Sequence, residues 1–206
     1  MKIVERAGRW GKPALAGTAL LSGAARAQAP PLENTVKPGD SEIHRLRVAD
    51  QKDRSWVMGK SQADRNRMTK RDADRLKRAE DIYRSGGLVS AGDYFDFALI
   101  MQHSNFSEDY LLAHVLCIVS IAKENTADAR WLSAATLDRY LQSVQQTQIF
   151  GTQHHGDDKN GYANDPYHRN LLTDATRTAL EVPSIEQQKK DFLTFHNGLP
   201  VSQSSR

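Results

Sequence analysis

Ser107-Glu108-Asp109-Tyr110-Leu111-Leu112-Ala113-His114-Val115-Leu116-Cys117-Ile118-Val119-Ser120-Ile121-Ala122 is the stretch that decides the fold. Ser107 is a preferred helix-capping residue type, and Glu108 and Asp109 put negative charge in a first turn, where the helix dipole favours it. From Tyr110 to Ala122 the side chains are apolar nearly all round, which predicts a central buried helix. On its N-terminal side Ser90 caps another helix, through Asp93-Tyr94-Phe95-Asp96-Phe97-Ala98-Leu99-Ile100 to about His103. On its C-terminal side a third begins near Thr126 or Ala127, carries Trp131, Leu132, Ala135, Leu141 and Val144, and stops before Gly151. The short connections make these three segments antiparallel neighbours.

The same periodicity extends in both directions. Ser41 to Val57 is polar and charged, with Ile43, Leu46, Val48 and Trp56 as its apolar anchors. Lys60 to Arg84 is a long charged helix with a narrow stripe of Met68, Leu76, Ala79 and Tyr83, ended by Gly86-Gly87. Its many Arg and Lys residues are interleaved with Asp64, Asp72, Asp74, Glu80 and Asp81 at i,i+4 spacing, the pattern of a solvated face. Beyond Gly151 a loop through His154-His155-Gly156-Asp157-Asp158-Lys159-Asn160-Gly161 precedes short helices around Leu171 to Leu180 and Ser184 to Phe195. No hairpin signal, alternating strand pattern, glycine-rich phosphate loop or repeat is apparent. The expected fold is all-α: an irregular bundle of about five to seven antiparallel helices in one domain, residues 41–195.

The N-terminus reads differently. Lys2, Arg6, Arg9 and Lys12 form a basic opening, Pro13 to Ala25 a small-residue, weakly apolar stretch, and Ala25-Arg26-Ala27-Gln28-Ala29 two overlapping A-x-A patterns. Residues 1–27 are therefore expected to be a signal peptide for export, periplasmic or beyond. Residues 28–40 would be a flexible leader and 196–206 a loose tail. The expected signal peptide holds five of the basic residues (Lys2, Arg6, Arg9, Lys12, Arg26) against Glu5, so the +3 of the whole chain becomes −1 after cleavage. That charge gives no reason to expect nucleic acid as a partner. The apolar stretch is well short of the roughly 20 residues of a membrane span, so no stable anchor is expected. The sole cysteine, Cys117, sits among apolar residues and reads as a small buried hydrophobe.

Three polar residues lie where apolar ones are expected. His103 ends a helix face that holds Asp96 one heptad earlier; His114 shares a face with Tyr110, Cys117, Ile118 and Ile121; Asp138 lies on or beside the buried stripe of its helix. Buried charges are rarely unpaired, so Asp138 needs a partner from another element, for which His103 and His114 are the candidates. Two readings follow from spacing alone. In one, a polar pocket has His103, His114 and Asp138 on its walls and Gln148, Thr152 and Gln153 at its mouth. In the other, a hydrogen-bonded core network fixes helix register and Gly151 simply ends a helix. Metal would need His103, His114 and the His154 to Asp158 cluster together, without H-E-x-x-H or C-x-x-C spacing, and neither metal nor cofactor is expected.

The motifs Ala49-Asp50-Gln51-Lys52-Asp53-Arg54, Gln102-His103, Asp138-Arg139-Tyr140-Leu141 and Gln148-Ile149-Phe150-Gly151-Thr152-Gln153 resemble an uncharacterised bacterial domain family. Its marks are A-D-Q-x-D-R, Q-H, D-R-x-L and Q-x-[YF]-G-T-Q. Asp165-Pro166 and Thr173 to Arg177 also resemble its tail, where Glu181-Val182-Pro183 departs from a G-L or G-V step. The resemblance carries no activity. It implies a motif set of Asp50, Gln51, Arg54, Gln102, His103, Asp138, Arg139, Gln148, Gly151, Thr152 and Gln153, and polar motifs of this kind more often serve a site than a core.

The leading expectation is binding of a small polar ligand or peptide in a polar cleft, with Arg54 and Arg139 meeting a carboxylate or phosphate. The alternative is a hydrolase or transferase with His103 as general base oriented by Asp96 or Asp138, with or without a metal. A helical protein-interaction scaffold with a broad apolar groove is the third.

Overall fold

The computed structural model describes residues 41–57, 61–153, 155–157, 161–163 and 166–196. The expected signal peptide and leader, and all of the expected tail beyond His196, lie outside the described residues. Within them the chain forms α1 (Glu42–Val57), α2 (Gln62–Arg84), α3 (Ala91–Met101), α4 (Ser107–Lys123) and α5 (Ala127–Ser143). A hairpin of β1 (His155–Asp157) and β2 (Gly161–Ala163) follows, then α6 (Asp174–Ala179) and α7 (Ile185–His196). The architecture is an all-α helical bundle carrying one small antiparallel hairpin, which the sequence reading had as loop; its register pairs Gly156 with Tyr162.

Hydroxyl caps set most helix starts. Ser61, Ser90, Thr126 and Thr173 each accept an amide of the first turn of α2, α3, α5 and α6. At α3 the cap is reciprocal, since the Asp93 carboxylate accepts the Ser90 amide at 2.8 Å and the Val89 amide at 3.1 Å. At α4 the expectation was off by one residue: Phe106 is the N-cap, with no side-chain hydrogen bond, and Ser107 is already helical. Gly86, with φ +77°, takes the left-handed turn that ends α2.

Helices α3, α4 and α5 pack side by side, while α1 packs on α3 and α2, and α2 also touches α3. One core joins them through Ile43, Ala79, Ile82, Phe97, Met101, Leu116, Cys117 and Leu132. Burial pushes the Cys117 thiol up to about 12, which suits the inert apolar role. A second, smaller core of Ala134, Phe150 and Val182 seats the C-terminal segment against α5. Helix α4 is central but not buried all round: Leu111, Val115 and Ile118 are 40%, 46% and 51% exposed, because both neighbours lie on its other side. No helix among the described residues is long and apolar enough to cross a membrane.

Glu181 takes φ +58°, a left-handed conformation that favours glycine. Its carboxylate accepts Arg130 Nη2 at 2.6 Å, which helps hold the turn.

Candidate functional site

Asp50, Asp53 and Arg54 are three and four positions apart on α1, which places them on one face, toward α2 and the end of α3. Arg54 Nη2 donates to Asp50 Oδ1 at 3.0 Å and to Asp72 Oδ2 of α2 at 3.1 Å. Asp53 receives Arg71 at 2.7 and 2.9 Å and Arg75 at 2.7 Å, and Arg75 also donates to Asp72. Three carboxylates and three guanidiniums thus form one balanced network. The hydrogen bond from Arg71 holds the Asp53 carboxyl below its ordinary range, helped by Arg75. Burial pushes the Asp50 carboxyl up, but His103 and Arg54 outweigh it and the net direction is down. Arg75 is only 8% exposed, so this part of α2 is a cross-helix ion network and not the solvated face expected. Its position was legible: Arg75 lies four and seven residues before the buried Ala79 and Ile82.

His103 follows the Gln102 cap of α3, and its Nδ1 lies 2.9 Å from Arg54 Nε and 3.0 Å from Asp50 Oδ2. One imidazole nitrogen carries either a lone pair or a proton, so only one of these contacts is a hydrogen bond at a time. Asp50 already accepts Gln51 Nε2 at 2.9 Å and two N–H groups of Arg54. The shortest contact of the Arg54 Nε–H is on Nδ1, and a hydrogen bond donated there puts the ring proton on Nε2. Burial lowers the His103 pKa, Asp50 opposes this, and the charges of Arg54 and Arg139 reinforce it, so the net direction is toward a neutral ring. Nε2 has no hydrogen-bond partner among the described residues.

Arg139 reaches the same place from α5. Its Nη1 donates to the Gln102 carbonyl at 2.6 Å, its Nε to Gln153 Oε1 at 3.0 Å, and its guanidinium lies 5.8 Å from the Tyr110 ring centroid. It forms no ion pair with a carboxylate, and Nη2 has no hydrogen-bond partner among the described residues. Burial lowers its pKa, opposed by Tyr110 and reinforced by Arg54. The Gln102 side-chain amide likewise makes no hydrogen bond among the described residues.

Asp138, fully buried, does something else. Its Oδ1 accepts the Ile149 and Phe150 amides at 2.8 and 3.0 Å; its Oδ2 accepts the Thr152 amide at 2.9 Å and hydroxyl at 2.8 Å. Gln148 clamps the main chain of Gln153 in both directions, at 3.0 and 2.9 Å, and Gly151 turns at φ +68°. Arg177, 0% exposed, closes the loop from below, donating to the Phe150 carbonyl at 2.8 Å, the Pro183 carbonyl at 2.9 Å and the Tyr167 hydroxyl. The Q-x-F-G-T-Q motif is therefore a clasp bolted to α5, with Gln153 alone reaching from it to Arg139.

The expected meeting of Asp138 with His103 or His114 does not occur. Asp138 is occupied by loop amides, His114 Nδ1 donates to the Ser133 carbonyl at 2.8 Å and ties α4 to α5, and His103 faces Asp50 and Arg54. Asp96, one heptad from His103, instead receives His44 at 2.8 Å and Arg47 at 2.9 Å. Among the described residues no group of three or more His, Cys, Asp or Glu is placed to hold a metal ion. Of the His154 to Asp158 cluster, His154, Asp158 and the side chains of His155 and Asp157 lie outside the described residues. A groove of about 330 Å³ lined by Phe95, Leu99, Asp128, Trp131 and Leu132 lies between α3 and α5 and contains none of the His103 cluster.

Compared with known protein families, with characterised proteins and with solved structures, the chain finds no match in any of the three.

Proposed function

We propose that this chain is an exported helical binding protein that captures a small polar anion at Arg139 and His103. The observation that carries this is a half-buried guanidinium with no carboxylate partner and an unpartnered Nη2. Desolvating a cation without its counter-charge is costly, and such groups cluster where a ligand supplies the missing charge. Arg177 makes the contrast: it too lacks a carboxylate contact, but each of its nitrogens has an acceptor and it is sealed from solvent, so nothing remains for a ligand. Arg54, expected beside Arg139 at a ligand, is instead committed to Asp50 and Asp72 and acts by positioning His103. Export rests on the basic, small-residue N-terminus with its A-x-A steps.

A second reading, a hydrolase or transferase, is favoured by one distance, the 3.0 Å between Asp50 Oδ2 and His103 Nδ1. With the ring proton on Nδ1, Asp50 would orient His103 and leave Nε2 as a base.

Thermal unfolding of the mature chain against a panel of small carboxylates, phosphates and neutral polar compounds tests the proposal. An anion present at about a hundred times its Kd should add about 2.7 kcal/mol to stability, and the gain should vanish in Arg139→Met. Stabilisation by no compound, or equally in both proteins, would sink it.

A further inference from the structure

We infer that the ligand carries a carboxylate, one oxygen taken by Arg139 Nη2 and the other by the Nε2–H of His103. The inference rests on the anion-binding reading above and narrows it to a ligand class.

The argument begins with what the cluster offers. Arg54 Nε donates to Nδ1 of His103 at 2.9 Å, so the opposite nitrogen presents a proton. Arg139, bonded through Nη1 to the carbonyl of the residue before His103, presents a second N–H. Both donors lie at the C-terminal end of α3, where Arg139 Nη1 holds the Gln102 carbonyl at 2.6 Å and His103 is the next residue. A ligand must therefore bring acceptors, and two of them.

Charge fixes the class. The neighbouring residues Asp50, Asp53, Asp72, Arg54, Arg71 and Arg75 neutralise one another through their own ion pairs. Among the described residues of this cluster Arg139 is then the cation without a carboxylate, matched by one negative charge and not two. A phosphate dianion would meet one cation, with the Asp50 carboxylate behind the imidazole. A carboxylate is a planar monoanion with two acceptor oxygens and fits both counts.

The test is an NMR titration of the mature protein with acetate, acetamide and inorganic phosphate, following the Arg139 guanidinium and His103 ring resonances. Acetate should shift both saturably, acetamide, its neutral isostere, should need at least tenfold higher concentration, and Arg139→Met should abolish the His103 shift. A stronger response to phosphate, or an equal one to acetamide, overturns the carboxylate class while leaving the cleft as a binding site. No response to acetate overturns it as well; the thermal panel then reports separately whether the cleft binds anything.

Discussion

Asp138→Ala is expected to cost about 4 kcal/mol of unfolding free energy, enough to place this variant among the most destabilised single substitutions of the chain. The carboxylate takes three backbone amides and one hydroxyl of the 149–152 loop, all within 3.0 Å. Removing it leaves those donors facing a small apolar cavity, and each buried donor left without an acceptor costs about 1–3 kcal/mol. The loss exceeds the sum expected from a surface loop because the same loop carries Phe150 into the second core beside Ala134 and Val182. Asp138→Asn should recover about half of it, since its one oxygen can keep the Ile149 and Phe150 amides while its NH₂ group opposes the Thr152 amide. Urea denaturation reads both values. A loss below about 1 kcal/mol for Asp138→Ala would mean that the loop holds its shape without the carboxylate.

Arg177→Met should cost about 3 kcal/mol and act on one end of the molecule. Its guanidinium ties three parts of the C-terminal segment together: the Phe150 carbonyl, the Tyr167 hydroxyl and the Pro183 carbonyl. Methionine fills much of the volume but satisfies none of these groups. Arg177→Lys should recover little, because a single ammonium cannot span three acceptors set around a planar fork. Hydrogen exchange should speed in the 148–153 loop and α6 while the amides of α3 and α4 keep their protection. Uniform loss of protection across the bundle would instead make Arg177 part of one global core.

Much of the fold was legible because its signals are local. Ser90 with Asp93, Thr126, and Gly86-Gly87 each fix a helix end through a few neighbouring residues, and the apolar spacing supplies the faces between them. The hairpin was not, because each strand has three residues, too few for alternation to register. The site was half legible. That Asp138 must have a partner from another element followed from its place on the stripe; that the partner is loop backbone did not, since amides leave no mark in a sequence. Likewise Asp50 and Arg54 were picked out by motif, but their pairing with His103 depends on how α1 lies against the end of α3, a fact of tertiary packing. Arg139 and Asp138 are adjacent in sequence and serve opposite ends: one carboxylate is consumed by the fold, while one guanidinium keeps an Nη2 without a hydrogen-bond partner among the described residues.

The most direct test of this account is the tautomer of His103, read from the ¹⁵N shifts of its ring nitrogens in the mature protein at neutral pH. The binding account predicts a neutral ring with the proton on Nε2 and Nδ1 accepting from Arg54. A proton on Nδ1, directed at Asp50 and leaving Nε2 bare, would contradict it and move the chain to the side of the hydrolases and transferases.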